Sequence, residues 1–363
     1  MISVDSLFSP MAGQMKPYSP IEPPDQIAKR LGLPEAAIVK LDANENPFGT
    51  SPKVLKALSD GKYYHIYPDP AQAQLRSAIA LYAGVKPENV VAGTGADELI
   101  DLCCRLLLEP GDKVLGFSPT FGYYSHVIAL NRGVYVTAPR EADFGISLEK
   151  AKALDLTGVK LVILCSPNNP SGTLVAPELV DWFLSKNLVV MVDEAYFEFC
   201  GQTVVEKVQN HPNLVVLRTF SKCFALAGFR VGYGVMGETL AQGLMRIKPP
   251  YSVSVPAEVA LLAALADLDH YRAQVAQLVA IRESTLARLK AFAALTPSPS
   301  GSNFILCKVT GYPAKDLRDQ LEQQGILVRY FDTPELRGYI RISMGTAPQM
   351  NRFFAALGRL LGP

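Results

Sequence analysis

Histidine is scarce, with four scattered residues at positions 65, 126, 211 and 270. The six cysteines, at 103, 104, 165, 200, 223 and 307, contain no CxxC pair and no Cys/His ligand spacing. Neither a zinc site nor a disulfide framework follows, and reduced thiols in the cytoplasm are the expected state. Dense Lys/Arg runs are missing, and 35 basic against 34 acidic residues leave a net charge of +1. That balance argues against nucleic acid and against a membrane surface as partners. No apolar run approaches the ~18 residues of a transmembrane helix. The opening "MISVDSLFSPMAGQ" has neither the basic region nor the unbroken apolar region of a secretory signal. A GxxxxGK(S/T) phosphate loop is also absent.

What remains is a chain able to bury a large core, 49% hydrophobic and long enough, at 363 residues, for two domains. From residue 90 onward short apolar runs alternate with helical patterns. "NVVAG" and "KVLGF" read as strands around the amphipathic helix "ADELIDLCCRLLLE". "VKLVILCSP", "NLVVMVDEA" and "NLVVLRTFS" are near-continuous apolar runs, as strands covered on both faces require. The pattern predicts an α/β fold with a mainly parallel, doubly wound sheet. After residue 250 the sequence predicts one long helix or two abutting ones over 256–292. The strands "FILCKV", "ILVRYF" and "YIRISMG", with two further helices, then form a smaller α+β unit. The expected division is an arm and part of the small domain at 1–45, a large domain at 46–250 and a small one at 251–363.

Three motifs lie at predicted strand ends. "VVAGTGADELI" turns on glycine into a helix start, where backbone N–H groups favour an anion such as phosphate. As a dinucleotide fingerprint it is weak, because Glu98 stands where the third glycine belongs. "CSPNNPSGT" taken alone is a turn. "LVVMVDEAY" ends a buried strand in two carboxylates, a place where open α/β sheets bind ligands. Asp193 reads as functional there and Glu194 as structural.

"RTFSKCFALAGFRVGY" sets Lys222 between Arg218 and Arg230. A nucleophilic lysine must shed its proton near neutral pH, and neighbouring cations such as Arg218 or Arg230 help by disfavouring the ammonium. The arginines need an anion, which a phosphate supplies, with Thr219 and Ser221 adding hydrogen bonds. An aldehyde for Lys222, a phosphate for the arginine and glycine turn, and a basic ring nitrogen for Asp193 together describe pyridoxal phosphate. The alternative is a solvated basic loop.

In order and spacing, "SPNNPSG", "VDEAY" and "TFSKCFALAGFRVGY" resemble the fold-type I aminotransferases, which use pyridoxal 5'-phosphate (PLP). "KPYSP", "VKLDANENPFG", "GTGADELID", "ILVRYF" and "YIRISMGT" look most like the histidinol-phosphate aminotransferases among them. The resemblance implies that Lys222 carries the cofactor and moves the proton, that Asp193 holds the pyridine nitrogen, and that Asn169 and Tyr196 contact the phenolic oxygen. It implies stacking by Phe121 and a phosphate site of Ala96, Asp97, Thr219, Ser221 and Arg230. Tyr67 matches a tyrosine reaching the phosphate of the neighbouring subunit, which implies a homodimer with shared active sites. For substrate, Arg341 matches the arginine that grips an α-carboxylate, and Arg329 and Tyr18 match contacts to the substrate's phosphate. The implied reaction is amino transfer between histidinol phosphate and 2-oxoglutarate in histidine biosynthesis. Rivals are an aromatic amino acid aminotransferase, a threonine-phosphate decarboxylase and a non-catalytic protein of the same fold. Ser171, Cys223, Phe229 and Phe121 depart from the commoner residues, and none removes a group the chemistry needs.

Overall fold

The computed structural model describes residues 3–15 and 22–362. Two sheets organise the chain. The larger has seven strands: β2 (Val90–Gly93), β3 (Lys113–Ser118), β4 (Val134–Pro139), β5 (Val159–Cys165), β6 (Val189–Asp193), β7 (Leu214–Thr219) and β8 (Gly232–Met236). Their spatial order is β2-β8-β7-β6-β5-β3-β4, and only β8 runs antiparallel to its neighbours. The smaller sheet has β1 (Val39–Leu41), β9 (Leu295–Pro297), β10 (Phe304–Val309), β11 (Ile326–Tyr330) and β12 (Tyr339–Ser343), in the order β1-β11-β12-β10-β9. Its pairings are antiparallel except β1 with β11, so residues 39–41 bring the N-terminal part of the chain into the C-terminal sheet.

The unbroken apolar runs of the central strands are explained by burial on both faces. Val162, Leu164, Val190, Val192 and Val216 face one core cluster. Their alternating neighbours Leu161, Ile163, Met191, Val215 and Leu217 face another, as a side-chain period of two demands. Helices Gly95–Leu107, Tyr123–Leu130 and Glu238–Ile247 contribute to the second cluster, and Pro177–Leu184 to the first.

The patterned stretch at 256–292 divides into helices Val255–Leu265 and Leu268–Leu289. At the break, Asp267 accepts from the Ser51 hydroxyl and from Lys53 Nζ at 2.6 Å, tying the junction to helix Pro52–Asp60. Strands β4, β8 and β9 carry no clear sequence signal. The edge strand β4 is largely exposed and ends in proline, as an edge tolerates. In β8 the glycines answer close approaches rather than turns. Among the described residues no helix is long and apolar enough to cross a membrane.

Parallel register sets the ends of β5, β6 and β7 side by side, with Cys165 opposite Asp193 and Asp193 opposite Leu217. Ser166 N–H donates to Asp193 O at 2.9 Å and Glu194 N–H to Leu217 O at 2.8 Å, carrying the ladder one residue further. Because β8 runs the other way, its first residue, Gly232, pairs with Gly93 and Thr219 at this same edge. A Cβ on Gly232 would stand 2.5 Å from Ala96 N and 2.9 Å from Arg218 O, both backbone atoms. Gly232→Ala is therefore expected to cost about 1–3 kcal/mol as an overpacking change, read as a lower urea midpoint of the ligand-free protein.

Candidate active site

At this shared edge opens a cavity of ≈ 800 Å³, roofed by residues of the smaller sheet. Lys222, Asp193, Asn169, Tyr196, Ala96, Asp97, Phe121, Thr219, Ser221, Arg230, Arg329 and Arg341 all line it. Tyr67 does not line it within one chain. It is 78% exposed and stacks on Tyr251 with ring centroids 4.6 Å apart. Tyr18 lies outside the described residues.

Lys222 Nζ donates to Ala43 O at 3.1 Å, and its ammonium meets no carboxylate within ion-pair distance among the described residues. Burial pulls Lys222 down to about 8, with Arg341 adding to the push and Arg230 contributing less. Arg218 plays another part. Its guanidinium meets Glu194 Oε2 at 2.8 Å, Thr203 Oγ1 at 2.6 Å and Tyr233 Oη at 3.2 Å, lying 3.5 Å over the Phe197 ring. Glu194 completes its shell with Val204 N–H at 2.7 Å. This buried ion pair ties the ends of β6 and β7 together.

Asp193 is buried and accepts from Ala195 N–H at 3.0 Å and from the Tyr124 hydroxyl at 2.5 Å, with no cation among the described residues in ion-pair distance. Burial pushes its carboxyl up to about 6 against those two hydrogen bonds. Asn169 Oδ1 accepts from Arg341 Nη1 at 2.6 Å, which leaves its amide N–H₂ as the available donor. Tyr196 accepts from Asn44 Nδ2 at 3.0 Å, which leaves its own O–H to donate.

At the start of helix Gly95–Leu107, Gly95 adopts φ +80°. A side chain there would meet Arg230 Nη2 at 2.7 Å, so only glycine lets the guanidinium lie against the turn. Arg230 also reaches Asp97 at 3.1 Å and Ser221 Oγ at 3.4 Å, while Thr219 Oγ1 donates to Ser221 Oγ at 3.0 Å. Glu98, the residue that weakened the dinucleotide reading, accepts from Thr94 N–H at 2.6 Å and Ser252 Oγ at 2.9 Å, closing the turn. The helix N–H groups, two hydroxyls and one guanidinium therefore converge on a site for an anion.

From the smaller sheet come Arg329 and Arg341, directly opposite each other on β11 and β12. Arg341 also reaches Asp42 O at 2.6 Å and stands 5.2 Å over the Phe304 ring. Three contributors had no signal as site residues in the sequence. Asn44 and Tyr124 reach theirs from 152 and 69 residues away. Ala43 offers only a backbone carbonyl. Among the described residues no group of three or more His, Cys, Asp or Glu is arranged to hold a metal ion.

The placement of Lys222 gives a direct expectation. In the ligand-free protein, its reaction with an amine-selective acylating reagent should show a midpoint near pH 8 by mass spectrometry. Replacing Arg341 with Leu removes a cation that disfavours the ammonium, so the midpoint should move up in that variant.

Comparison with known proteins places this arrangement. The profile of the family Aminotransferase class I and II matches residues 36–357. The histidinol-phosphate aminotransferase of Roseiflexus castenholzii is 45% identical over 356 residues, covering 96% of each chain. The chloroplastic histidinol-phosphate aminotransferase of Nicotiana tabacum is 43% identical, covering 95% of this chain and 84% of its own. Among solved structures, the Sinorhizobium meliloti histidinol-phosphate aminotransferase in complex with pyridoxal-5'-phosphate superposes with a TM-score of 0.88 at 29% identity, covering 98% of each chain. With a cavity rich in charged side chains at the C-terminal edge of a mainly parallel sheet and matches of this extent, the chain belongs to the class I and II aminotransferases.

Proposed function

We propose that the chain transfers an amino group between histidinol phosphate and 2-oxoglutarate with pyridoxal 5'-phosphate as cofactor, as in histidine biosynthesis. The residues present fit that cofactor. Asp193 is a buried carboxylate that no cation among the described residues satisfies, and a protonated ring nitrogen supplies one. The glycine turn and Arg230 form a cradle that a Cβ at position 95 would fill. When bound, the cofactor supplies an aldehyde for a lysine and a ring that withdraws electrons through its nitrogen.

Each chain residue then has a task. Lys222, which releases its proton near pH 8, holds the cofactor and serves as the base that takes a proton from the substrate carbon. Asp193 holds the proton of the ring nitrogen. The Asn169 amide and the Tyr196 hydroxyl, both in the cavity lining, would donate to the phenolic oxygen, and Phe121 would cover one ring face. Ala96 and Asp97 N–H groups, Thr219, Ser221 and Arg230 bind the phosphate. The smaller sheet closes over these groups and limits water.

The observation carrying the substrate assignment is the cross-strand pair Arg329–Arg341 in the cavity wall. Two guanidiniums opposite each other on one face of a sheet can grip two oxygens of one anion, or one anionic group each. Histidinol phosphate carries a phosphate where an amino acid carries its α-carboxylate, and glutamate offers two carboxylates to the same pair. Arg329→Leu is expected to lower kcat/KM for histidinol phosphate by about tenfold to a hundredfold, the loss of one or two charged hydrogen bonds. Phenylalanine turnover should change less. Steady-state rates with histidinol phosphate, phenylalanine and threonine phosphate rank the rivals, and phenylalanine outrunning histidinol phosphate by a wide margin defeats the assignment.

A homodimer with shared sites completes the reading. Supporting it is an exposed cluster of Tyr63, Tyr64, Ile66, Tyr67 and Tyr251, larger and more aromatic than isolated surface residues. A cytosolic location fits the six unpaired cysteines. Sedimentation should give twice the chain mass. Tyr67→Phe should leave the dimer intact yet weaken cofactor affinity by about tenfold, through loss of a hydrogen bond to a charged group. Titration of the apoprotein with cofactor reads that change.

A further inference from the structure

Tyr124 is the second residue of helix Tyr123–Leu130 and is wholly buried. Its hydroxyl has a single proton to give, and that proton goes to Asp193 Oδ2 at 2.5 Å. Asp193 Oδ1 is held by Ala195 N–H at 3.0 Å, so each carboxylate oxygen has its own donor and the carboxylate plane is fixed. The same tyrosine ring stands edge-on to Phe121, with centroids 5.5 Å apart and planes at 90°. The segment Phe121–Tyr124, leading into this helix, thus sets both an aromatic face of the cavity and the carboxylate beside it. The other ionisable groups facing this pair are Cys165, Arg140, Asp97 and Glu194.

We propose that Tyr124 is a positioning residue that keeps the proton shared by Asp193 and the cofactor's ring nitrogen on the nitrogen. The inference rests on the reading that Asp193 faces that nitrogen. In a buried N–H···O contact the proton resides where the resulting charges are better stabilised. A hydroxyl donating to the carboxylate stabilises its anion and makes it the weaker base. The direction agrees with the lowering that this hydrogen bond exerts on Asp193 against burial. Without the hydroxyl, a low-dielectric site favours the neutral pair, carboxylic acid and unprotonated pyridine. A ring that has lost this proton withdraws electrons less well, so proton removal by Lys222 slows without a matching loss of substrate binding.

The test compares wild-type holoenzyme with Tyr124→Phe, both loaded with pyridoxal phosphate isotopically labelled in its ring nitrogen. The variant keeps the ring and its packing against Phe121, and equal thermal midpoints of the two apoproteins establish that the fold is retained. Nitrogen NMR should place the wild-type signal at the protonated value and move the variant toward neutral pyridine. With it, kcat should fall by about tenfold while KM changes little, as loss of a charged hydrogen bond predicts. A variant signal that stays at the protonated value overturns the proposal, whatever the rate. An unprotonated nitrogen in the wild type instead overturns the placement of Asp193 on which the proposal stands.

Discussion

Backbone pairing between β5, β6 and β7 is the constraint on which the site depends. Three parallel strands end in register, and the ladder continues through Ser166 and Glu194. Whatever follows each strand is thereby delivered to one line: the turn carrying Asn169, then Asp193, then the segment from Thr219 to Lys222. The antiparallel β8 adds Arg230 to the same edge, because its beginning lies where the others end. The Glu194–Arg218 ion pair reinforces this line from behind. Its two members are the immediate neighbours of Asp193 and Thr219, so the most buried ion pair among the described residues sits one residue away from two that line the cavity.

The electrostatics of the cavity follow from how its charges are partnered. Among the described residues Asp193 has donors but no cation, and Lys222 has a carbonyl but no carboxylate. Both are unfavourable arrangements for an isolated protein, and both become favourable beside a molecule with a protonated ring nitrogen and an aldehyde. Burial acts on Lys222 and Asp193 in the same sense, disfavouring both charges, and so it brings the lysine's proton release toward neutral pH. Groups such as Tyr196 and Asn169 have their acceptor positions filled by Asn44 and Arg341, which orients their donors toward the cavity.

The doubly wound fold was legible because β5, β6 and β7 are buried on both faces and must read as unbroken apolar runs. The strands that escaped notice have sequences governed by something else. β8 carries glycine because a Cβ at position 232 would meet the helix start, and β4 is an edge whose exposed face relaxes the pattern. Among site residues, those following a strand directly could be read from the motif. Arg218 could not, because whether an arginine biases a lysine or closes an ion pair depends on where Glu194 and Thr203 lie. Asn44 and Tyr124 were silent for a related reason, since their partners come from far along the chain.

By itself, then, the amino-acid sequence determined the alternation of strands and helices, the chemical types gathered at strand ends and the membership in a cofactor-binding family. Those depend on local periodicity and on residue identity, both written along one dimension. The fold settled which groups meet: Tyr124 with Asp193, Asn44 with Tyr196, Arg341 with Asn169, and Arg329 with Arg341. It also settled which protons are held loosely. Burial and the distance between charges fix both, and neither exists until the two sheets have packed.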